Sequence, residues 1–376
     1  MSASIDSISL AAAVEAALSV EAKRGERVFV VGGVVRDLVM QRPPGDFDLD
    51  LVVEGDAISF ARDVAELVAG SVREHPMFLT AKIQAPFGRD VQSSAPAMGE
   101  GYRQLREIDL ASARIESYPT PGALPVVTPA SIERDLWRRD FSINALAIPL
   151  AVVAPLWTTS AVQSFGVDSV LDPTGGRRDI VHSTVRVLHK GSFIDDPSRL
   201  FRAVRYAERL HFDFDLETLA AFMEAVKAGA LATLSPRRIL NEVLIALDEP
   251  APARVVEEFF ERGLFFQLPI VSEDNVEFVC SALSRLEVNR AAISADEFKQ
   301  AGRLILLAGL LQDGREDIAL AAHEGGKVIA AARRVQRQEC KAKSQAGVAE
   351  VFAQYCVHPT VEARVLLEES LQGGEE

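Results

Sequence analysis

The chain has 376 residues, of which 48% are hydrophobic and 25% are charged. This is the composition of a globular protein, and the length predicts two or three domains because single cores stop growing at about 250–300 residues. No apolar run reaches the roughly 18–20 residues that a membrane-spanning helix needs, which argues against a membrane partner. The net charge of −14 argues against a nucleic-acid partner when taken alone. It averages over local patches, however, so it excludes little.

The N-terminal residues and the cysteines indicate a cytoplasmic protein. Residues 1–18 carry no basic residue ahead of their apolar stretch, so they predict an amphipathic helix rather than a signal peptide. Cys280, Cys340 and Cys356 are odd in number and widely spaced. They predict free thiols in a reducing compartment rather than disulfides or a zinc site.

The first part of the chain mixes predicted strands and helices. In chain order we predict a strand at 27–35 broken by a Gly-Gly turn, the start of a helix at 36–42, a strand at 46–55, a helix at 58–70, strands at 77–85 and 106–114, and a helix at 131–148. The segments 88–104 and 117–131 are rich in Gly, Pro and small polar residues and predict surface loops.

From about residue 185 onward, apolar residues recur at helical spacing. Clear amphipathic helices are predicted at 196–212, 216–231, 237–249 and 253–268, and the helical pattern continues to about residue 370. The predicted fold class is α+β, an α/β head followed by an all-helical body.

Residues 32–37, GGVVRD, join a predicted strand to a predicted helix. Two glycines at such a turn let backbone N–H groups approach a phosphate, and Arg36 adds a guanidinium that can pair with it. The segment matches neither G-x-G-x-x-G nor the P-loop pattern, which argues against those nucleotide-binding classes. A tight turn without any ligand remains an equal alternative.

Residues 46–55, DFDLDLVVEG, place three carboxylates at alternate positions of a strand. Asp46, Asp48 and Asp50 therefore share one face, and carboxylates so close together repel one another unless a cation lies between them. Mg²⁺ accepts one or two carboxylates together with substrate phosphates. The alternative is a solvated edge strand.

These two segments together resemble motif A of the nucleotidyltransferase superfamily, in its class II tRNA nucleotidyltransferase and bacterial poly(A) polymerase branch. The other four motifs of that branch follow in order and extend the resemblance over about 60% of the chain: RRDFSINALAI (138–148), LDPTGGRRDI (171–180), DDPSRLFRAVRYAERLHF (195–212) and SPRRILNEVL (235–244). Five motifs in the same order make a chance match very unexpected.

The resemblance implies a polymerase-beta-like catalytic head at 1–150, a neck with nucleotide-base recognition at 151–250, and a helical tRNA-binding body and tail at 251–376. It implies that Asp48 and Asp50 bind Mg²⁺. Asp46 is ranked lower, and Asp109 is a candidate third catalytic carboxylate. The nucleotide-binding residues that it implies are Gly32, Gly33, Arg36, Arg139, Asp140, Asn144, Asp196, Arg199 and Arg202.

Asp196 and Arg199 match the pair that imitates a Watson–Crick partner for C or A. The sequence departs from the family pattern at two positions where Glu is usual, Asp195 and Arg237. The change to Asp195 is conservative, whereas Arg237 leaves the ion pair inside its helix uncertain. A helix cap at Asp196 and a surface basic pair at Arg138–Arg139 are the alternatives for those motifs taken singly.

The function implied by the resemblance is template-independent addition of C and A to the 3′ end of tRNA from CTP and ATP. A CC-only or A-only enzyme, a poly(A) polymerase and a non-catalytic RNA-binding protein on the same fold remain alternatives. The loop at 116–131 corresponds to the family's flexible loop and favours forms that add A. The basic stretch 325–345 is a candidate tRNA contact, and the oligomeric state, monomer or dimer, is left open.

Overall fold

The computed structural model describes residues 8–42, 49–84, 104–105, 107–158, 166–265, 273–288 and 290–312. The chain forms two compact units. The first consists of residues up to Pro119 together with Leu124–His189, and the second of Thr120–Ala123 together with the residues from Lys190 onward. The functional division at residues 150 and 250 stays a prediction.

The first unit is a mixed α/β structure. Its regular elements are β1 (Ile8–Ser9), α1 (Leu10–Arg24), β2 (Arg27–Val31), α2 (Gly33–Val39), β3 (Leu49–Glu54), α3 (Ala57–Leu67), β4 (Ser71–His75), β5 (Thr80–Gln84), β6 (Gln104–Leu105), β7 (Glu107–Ser112), β8 (Arg114–Ser117), β9 (Val126–Pro129), α4 (Ile132–Trp137), β10 (Ala147–Pro149), α5 (Leu150–Val153), α6 (Pro155–Thr158), α7 (Gly176–Val181) and β11 (Thr184–Val185).

Six of these strands form one sheet in the order β10-β2-β3-β7-β5-β4. All neighbours are antiparallel except β3 and β7, which are parallel. Helix α3 packs against β5 and β7 and buries Phe60 and Val64. A second apolar cluster joins Phe29 and Val52 of the sheet to Leu136 of α4. Asp50 has the same strand parity as Val52 and therefore lies on that second face.

The second unit is helical in its described part, apart from the two-residue strand β12. Its elements are α8 (Ser192–Asp195), α9 (Ser198–Leu210), β12 (Asp213–Phe214), α10 (Leu216–Lys227), α11 (Pro236–Ile245), α12 (Pro252–Glu261), α13 (Glu273–Val288) and α14 (Ala295–Gln312). Its core contains edge-to-face phenylalanines, with Phe259 packed 5.0 Å from Phe201 and 6.0 Å from Phe265 between ring centroids. The predicted α+β class with a helical second part is confirmed.

Four sequence predictions in the first unit are wrong in detail. The run 27–35 is a strand only as far as Val31, because the helix already begins at Gly33. The helix predicted at 131–148 ends at Trp137; a 3₁₀ turn at Ser142–Asn144 and strand β10 follow. The strand predicted at 77–85 begins at Thr80, after a 3₁₀ turn.

The fourth correction concerns the loop predicted at 117–131. It contains strand β9, which pairs with β8, so Arg114–Pro129 form a β-hairpin. Strand β4 was not predicted at all, because its sequence SVREH is mostly polar and it forms an edge of the sheet. The loop predicted at 88–104 lies outside the described residues except for Gln104, and the basic stretch 325–345 lies wholly outside them.

Candidate active site

The predicted Gly-Gly turn lies where β2 passes into α2, and its conformation requires glycine. Gly32 has φ +74°, a value that side chains rarely adopt. A β-carbon added there would lie 3.6 Å from Nη1 of Arg139 and 3.9 Å from Oδ2 of Asp50. The turn, a predicted metal ligand and a predicted nucleotide-binding arginine therefore meet at one place.

Arg36, Asn144 and Asp140 form one hydrogen-bonded line beside this turn. Arg36 is buried and donates from Nη1 to Oδ1 of Asn144 at 2.9 Å, while its Nε donates to Asp37 at 2.9 Å. The amide of Asn144 in turn donates to Oδ1 of Asp140 at 3.3 Å. Three predicted site residues from sequence-distant motifs are thus brought together by direct contacts.

Asp50 and Asp109 are neighbours in the sheet. They are paired in the register of the parallel strands β3 and β7, so their side chains lie on the same face of adjacent strands. On the far side of β7, Lys82 is paired with Asp109, and its Nζ lies 3.1 Å from that carboxylate. Burial opposes the charge on Lys82, but its hydrogen bonds with Glu107 and Asp109 raise the lysine pKa above its ordinary value.

These carboxylates fit a hard divalent cation, because oxygen donors on neighbouring strands lie side by side. Of the predicted metal pair, Asp50 is described, whereas Asp48 lies outside the described residues, as does Asp46. In the described ranges, no group of three or more His, Cys, Asp and Glu side chains is arranged to hold a metal ion. The role of Asp48 as a metal ligand stays a prediction.

Arg139 is anchored by a carboxylate that sequence reasoning missed. Asp135 is fully buried, and its Oδ2 accepts from Nη2 of Arg139 at 3.1 Å. Its Oδ1 accepts from Nε of Arg138 at 2.8 Å and from the backbone N–H of Arg114 at 3.2 Å. The spacing of Asp135 and Arg139, four residues apart at the end of α4, is the signal that could have found the pair.

The third motif supports the site rather than forming it. Asp172 accepts hydrogen bonds from the N–H groups of Gly176 and Arg177 at 2.7 and 2.9 Å and so caps α7. A β-carbon at Gly176 would lie 2.0 Å from the carbonyl oxygen of Ser142, so α7 packs directly on the 3₁₀ turn that contains Asn144.

In the second unit, Asp196 both caps a helix and forms an ion pair. Its Oδ1 accepts from the N–H and the hydroxyl of Ser198 at 3.2 and 2.7 Å, at the start of α9. The same oxygen accepts from Nη2 of Arg238 at 2.7 Å. The helix-cap alternative therefore describes a real contact, and the ion pair shows that capping is not the only interaction of this carboxylate.

Arg199 and Arg202 lie on the first two turns of α9. Arg199 is buried and donates to the hydroxyl of Ser192 at 2.7 Å. Arg202 lies over the ring of Tyr206, 5.5 Å from its centroid, and donates to its hydroxyl at 3.1 Å. Contacts within the second unit thus orient both of these arginines, which were predicted to bind the nucleotide.

The last motif joins α11 to α9 in spite of the unusual Arg237, whose side chain is exposed. Arg238 donates to Asp196 and, from Nη1, to the carbonyl of Gly122 at 2.8 Å. Glu242 pairs with the buried Arg205 at 2.8 Å, although burial keeps the pKa of Glu242 above its usual value. The sequence left an ion pair inside this helix uncertain; the two ion pairs observed here join the helix instead to Asp196, just before α9, and to Arg205 within α9.

Comparisons with known proteins show which families this chain resembles. The model of the Poly A polymerase head domain matches residues 28–186. The chain is 40% identical over 233 residues to the A-adding tRNA nucleotidyltransferase of Halalkalibacterium halodurans, covering 61% of this chain and 47% of that one. It is 34% identical over 251 residues to the CC-adding tRNA nucleotidyltransferase of Deinococcus radiodurans, covering 66% and 58% respectively.

A solved structure described as a tRNA-processing enzyme with CTP is similar over most of the chain. It is 25% identical with a TM-score of 0.63, and the match covers 94% of this chain and 87% of that one. The sequence match spans about half the length of the Halalkalibacterium halodurans and Deinococcus radiodurans relatives, and it spans only 23% of the A-adding tRNA nucleotidyltransferase of Geobacter sulfurreducens. In the part of the chain that the structure describes, we find no helix with the length and apolarity that crossing a membrane requires.

Proposed function

We propose that this chain, a member of the class II tRNA nucleotidyltransferase and bacterial poly(A) polymerase family, adds C, A or both to the 3′ end of tRNA from CTP and ATP without a template. The observation that carries the proposal is the meeting of Gly32, Asp50 and Arg139, with Asp109 next to Asp50 in the sheet. A triphosphate needs a turn, a cation site and a guanidinium in that combination.

The cofactor in this proposal is Mg²⁺, held by Asp48 and Asp50, with Asp109 as a third catalytic carboxylate. When bound, it would help to activate the 3′-hydroxyl of the RNA and neutralise charge at the α-phosphate. Asp50 and Asp109 are paired on the adjacent strands β3 and β7, which places both carboxylates on the same side of the sheet, where a cation would bind. The line Arg36–Asn144–Asp140 braces the turn that would receive the triphosphate.

The second unit would read the base. Asp196 accepts hydrogen bonds and Arg199 donates them, which suits the amine-bearing pairing edges of C and A. The functional division expected from the sequence, with a head at 1–150, a neck at 151–250 and a body and tail at 251–376, belongs to this proposal. A cytoplasmic location is part of it as well, since tRNA is the substrate and Cys280 is a free thiol.

Addition of A is the better supported of the two transfers, because the A-adding relative shares 40% identity and the CC-adding relative 34%. The test is incorporation of each labelled NTP, alone and in pairs, into tRNA lacking its CCA end and into tRNA ending in CC. Transfer of AMP to the CC-ending substrate alone identifies an A-adding enzyme, and ordered transfer of C and then A identifies a CCA-adding one. No transfer of either nucleotide would refute the proposal.

The same assay separates the alternatives. A poly(A) polymerase would extend a generic RNA with ATP without limit, whereas a tRNA enzyme stops after a few nucleotides. The chain's net charge of −14 does not favour a polymerase that grips any RNA. A non-catalytic RNA-binding protein would bind tRNA but show no transfer.

A further inference from the structure

We propose that Asp135 and Glu116 are positioning residues for Arg139, holding its guanidinium against the Gly32 turn so that it can receive a triphosphate. This inference deepens the proposed function and rests on it. Neither residue belongs to the motifs that led to the family, and the structure places Glu116 on strand β8 of the hairpin. The hairpin would thereby take part in nucleotide binding through Arg139.

The first step is the direct contact between Asp135 and Arg139. The carboxylate is fully buried and accepts from Nη2 at 3.1 Å, which fixes one edge of the guanidinium. A salt bridge to a buried carboxylate restricts the rotamers of a long side chain far more than a surface pair does. Arg139 is thus held in place before any ligand arrives.

The second step is the layer behind Asp135. Arg138 donates to Asp135 at 2.8 Å and to Oε1 of Glu116 at 2.8 Å. Arg114 donates to the same oxygen at 3.0 Å, and the hydroxyl of Tyr118 donates to Oε2 at 2.9 Å. Glu116 thus shares with Asp135 the task of balancing the charge of Arg138, while Oδ2 of Asp135 accepts from Arg139.

The pKa shifts of Asp135 and Arg138 reflect the ion pairs between the carboxylates and arginines of this cluster. Burial opposes the charge on Asp135, but Arg139 and Arg138 outweigh it and hold the pKa of the carboxyl below its usual range. Burial likewise opposes the charge on Arg138, and Asp135 with Glu116 raises its pKa in spite of this. Both groups are therefore ionised at neutral pH.

The third step is that Arg139 retains uncommitted donors. Its Nε is buried and has no hydrogen-bond partner among the described residues, which is costly unless a ligand supplies an acceptor. Its Nη1 lies 3.6 Å from the position that a β-carbon of Gly32 would take. A phosphate oxygen bound at the turn would supply an acceptor for these groups.

The test compares Asp135→Asn and Glu116→Gln with the wild type, using titration calorimetry with ATP and with inorganic tripolyphosphate. Both substitutions keep the side-chain size and remove the charge. We expect Asp135→Asn to weaken both ligands about tenfold, as loss of one charged hydrogen bond would, and Glu116→Gln to weaken them by a smaller factor. The matched control is Glu74→Gln, whose carboxylate forms an exposed ion pair with Arg62 in the same unit and should leave both affinities unchanged.

A double-mutant cycle distinguishes positioning from general support of the fold. In an Arg139→Gln background, Asp135→Asn should change ligand affinity less than twofold, because the residue through which it acts is gone. An equal tenfold loss in both backgrounds, or unchanged affinity in the single variant, would overturn the inference. A lost thermal transition would show that Asp135→Asn fails to fold. In that case the same double-mutant cycle, made with Glu116→Gln in place of Asp135→Asn, decides between positioning and general support of the fold.

The nucleotide-incorporation assay keeps this inference separate from the proposed function. A wild type that transfers no nucleotide refutes the function. A wild type that transfers nucleotide, combined with Asp135→Asn and Glu116→Gln variants of unchanged affinity, refutes only the positioning role.

Discussion

Asp109 illustrates at the scale of single residues what the sheet adds to the sequence. Its place in REIDLASAR predicts a strand, and the family resemblance makes it a candidate third catalytic carboxylate; the structure pairs it with Asp50 on one side and with Lys82 on the other. Lys82, on β5, partly neutralises two carboxylates of the neighbouring strand β7, those of Glu107 and Asp109. The pairing of Asp109 with Asp50 supports the proposal that Asp109 is a third catalytic carboxylate.

We expect Asp109→Asn to reduce nucleotide transfer at least about 100-fold, because loss of the charge of the proposed third catalytic carboxylate would remove several kcal/mol of transition-state stabilisation. The measurement is single-turnover incorporation together with tRNA binding, which should not change. Glu107→Gln is the matched control, since Glu107 lies on the same strand and face and also pairs with Lys82. Equal losses in the two variants would contradict the assignment.

Cys280 should be unreactive in the folded protein. Burial raises the pKa of its thiol to about 12, so the reactive thiolate is scarce at pH 8. In a Cys340→Ser/Cys356→Ser variant, alkylation at pH 8 should be at least about 100-fold slower than in the same chain unfolded by urea. Folded and unfolded chains that react at equal rates would show that the thiol is neither buried nor shifted.

Gly176→Ala should destabilise the first unit by about 1–3 kcal/mol, as overpacking against a rigid neighbour does. The neighbour is the backbone carbonyl of Ser142, 2.0 Å from the added carbon, and a backbone atom cannot rotate away. Urea unfolding of the two alanine variants checks this, with Gly166→Ala as the control because its β-carbon would meet only Ser169 Oγ at 3.9 Å. Identical midpoints for Gly176→Ala and the wild type would contradict the packing described.

At the scale of elements, the predictions succeed where a segment's own pattern decides its structure. Strand β3 is a largely apolar run buried on both faces, and it was predicted as a strand. Helices α9 to α12 have apolar residues at helical spacing, and all four were predicted as helices. The helix predicted at 131–148 is wrong because the buried run from Phe141 to Ile148 is equally compatible with a strand. Only the end of the run becomes a strand, because Ala147–Pro149 pair with β2, and that pairing is not visible in the local sequence.

Helix α11 offers a test of whether element packing shapes base recognition. Arg238→Gln removes the ion pair with Asp196 and weakens the contact with the Gly122 carbonyl. We expect the preference for CTP and ATP over GTP and UTP to fall about tenfold, since one charged hydrogen bond orients Asp196, the proposed acceptor for the base. Arg237→Gln, an exposed neighbour on the same helix, should keep the preference, and an equal effect of both changes would rule out this role.

At the scale of the whole molecule, the order of five motifs predicted the family and most of the candidate site residues. The motif order does not predict which distant segments pair with one another. Lys82 and Glu116 have no signal in the sequence, because their roles depend on which strand lies next to which. Asp135 has a weak sequence signal, its helical spacing from Arg139. That signal points to the site only because the structure places Arg139 beside Gly32 and Asp50.

The central claim is that Asp50 and its neighbours transfer nucleotides to tRNA. The most direct test is incorporation of labelled AMP and CMP into tRNA lacking its terminal nucleotides, by the wild type and by Asp50→Ala in parallel, with tRNA binding measured for both. The wild type should add a limited number of nucleotides and stop, and the variant should bind tRNA but add none. A wild type without transfer, or a variant that transfers as well as the wild type, would contradict the account.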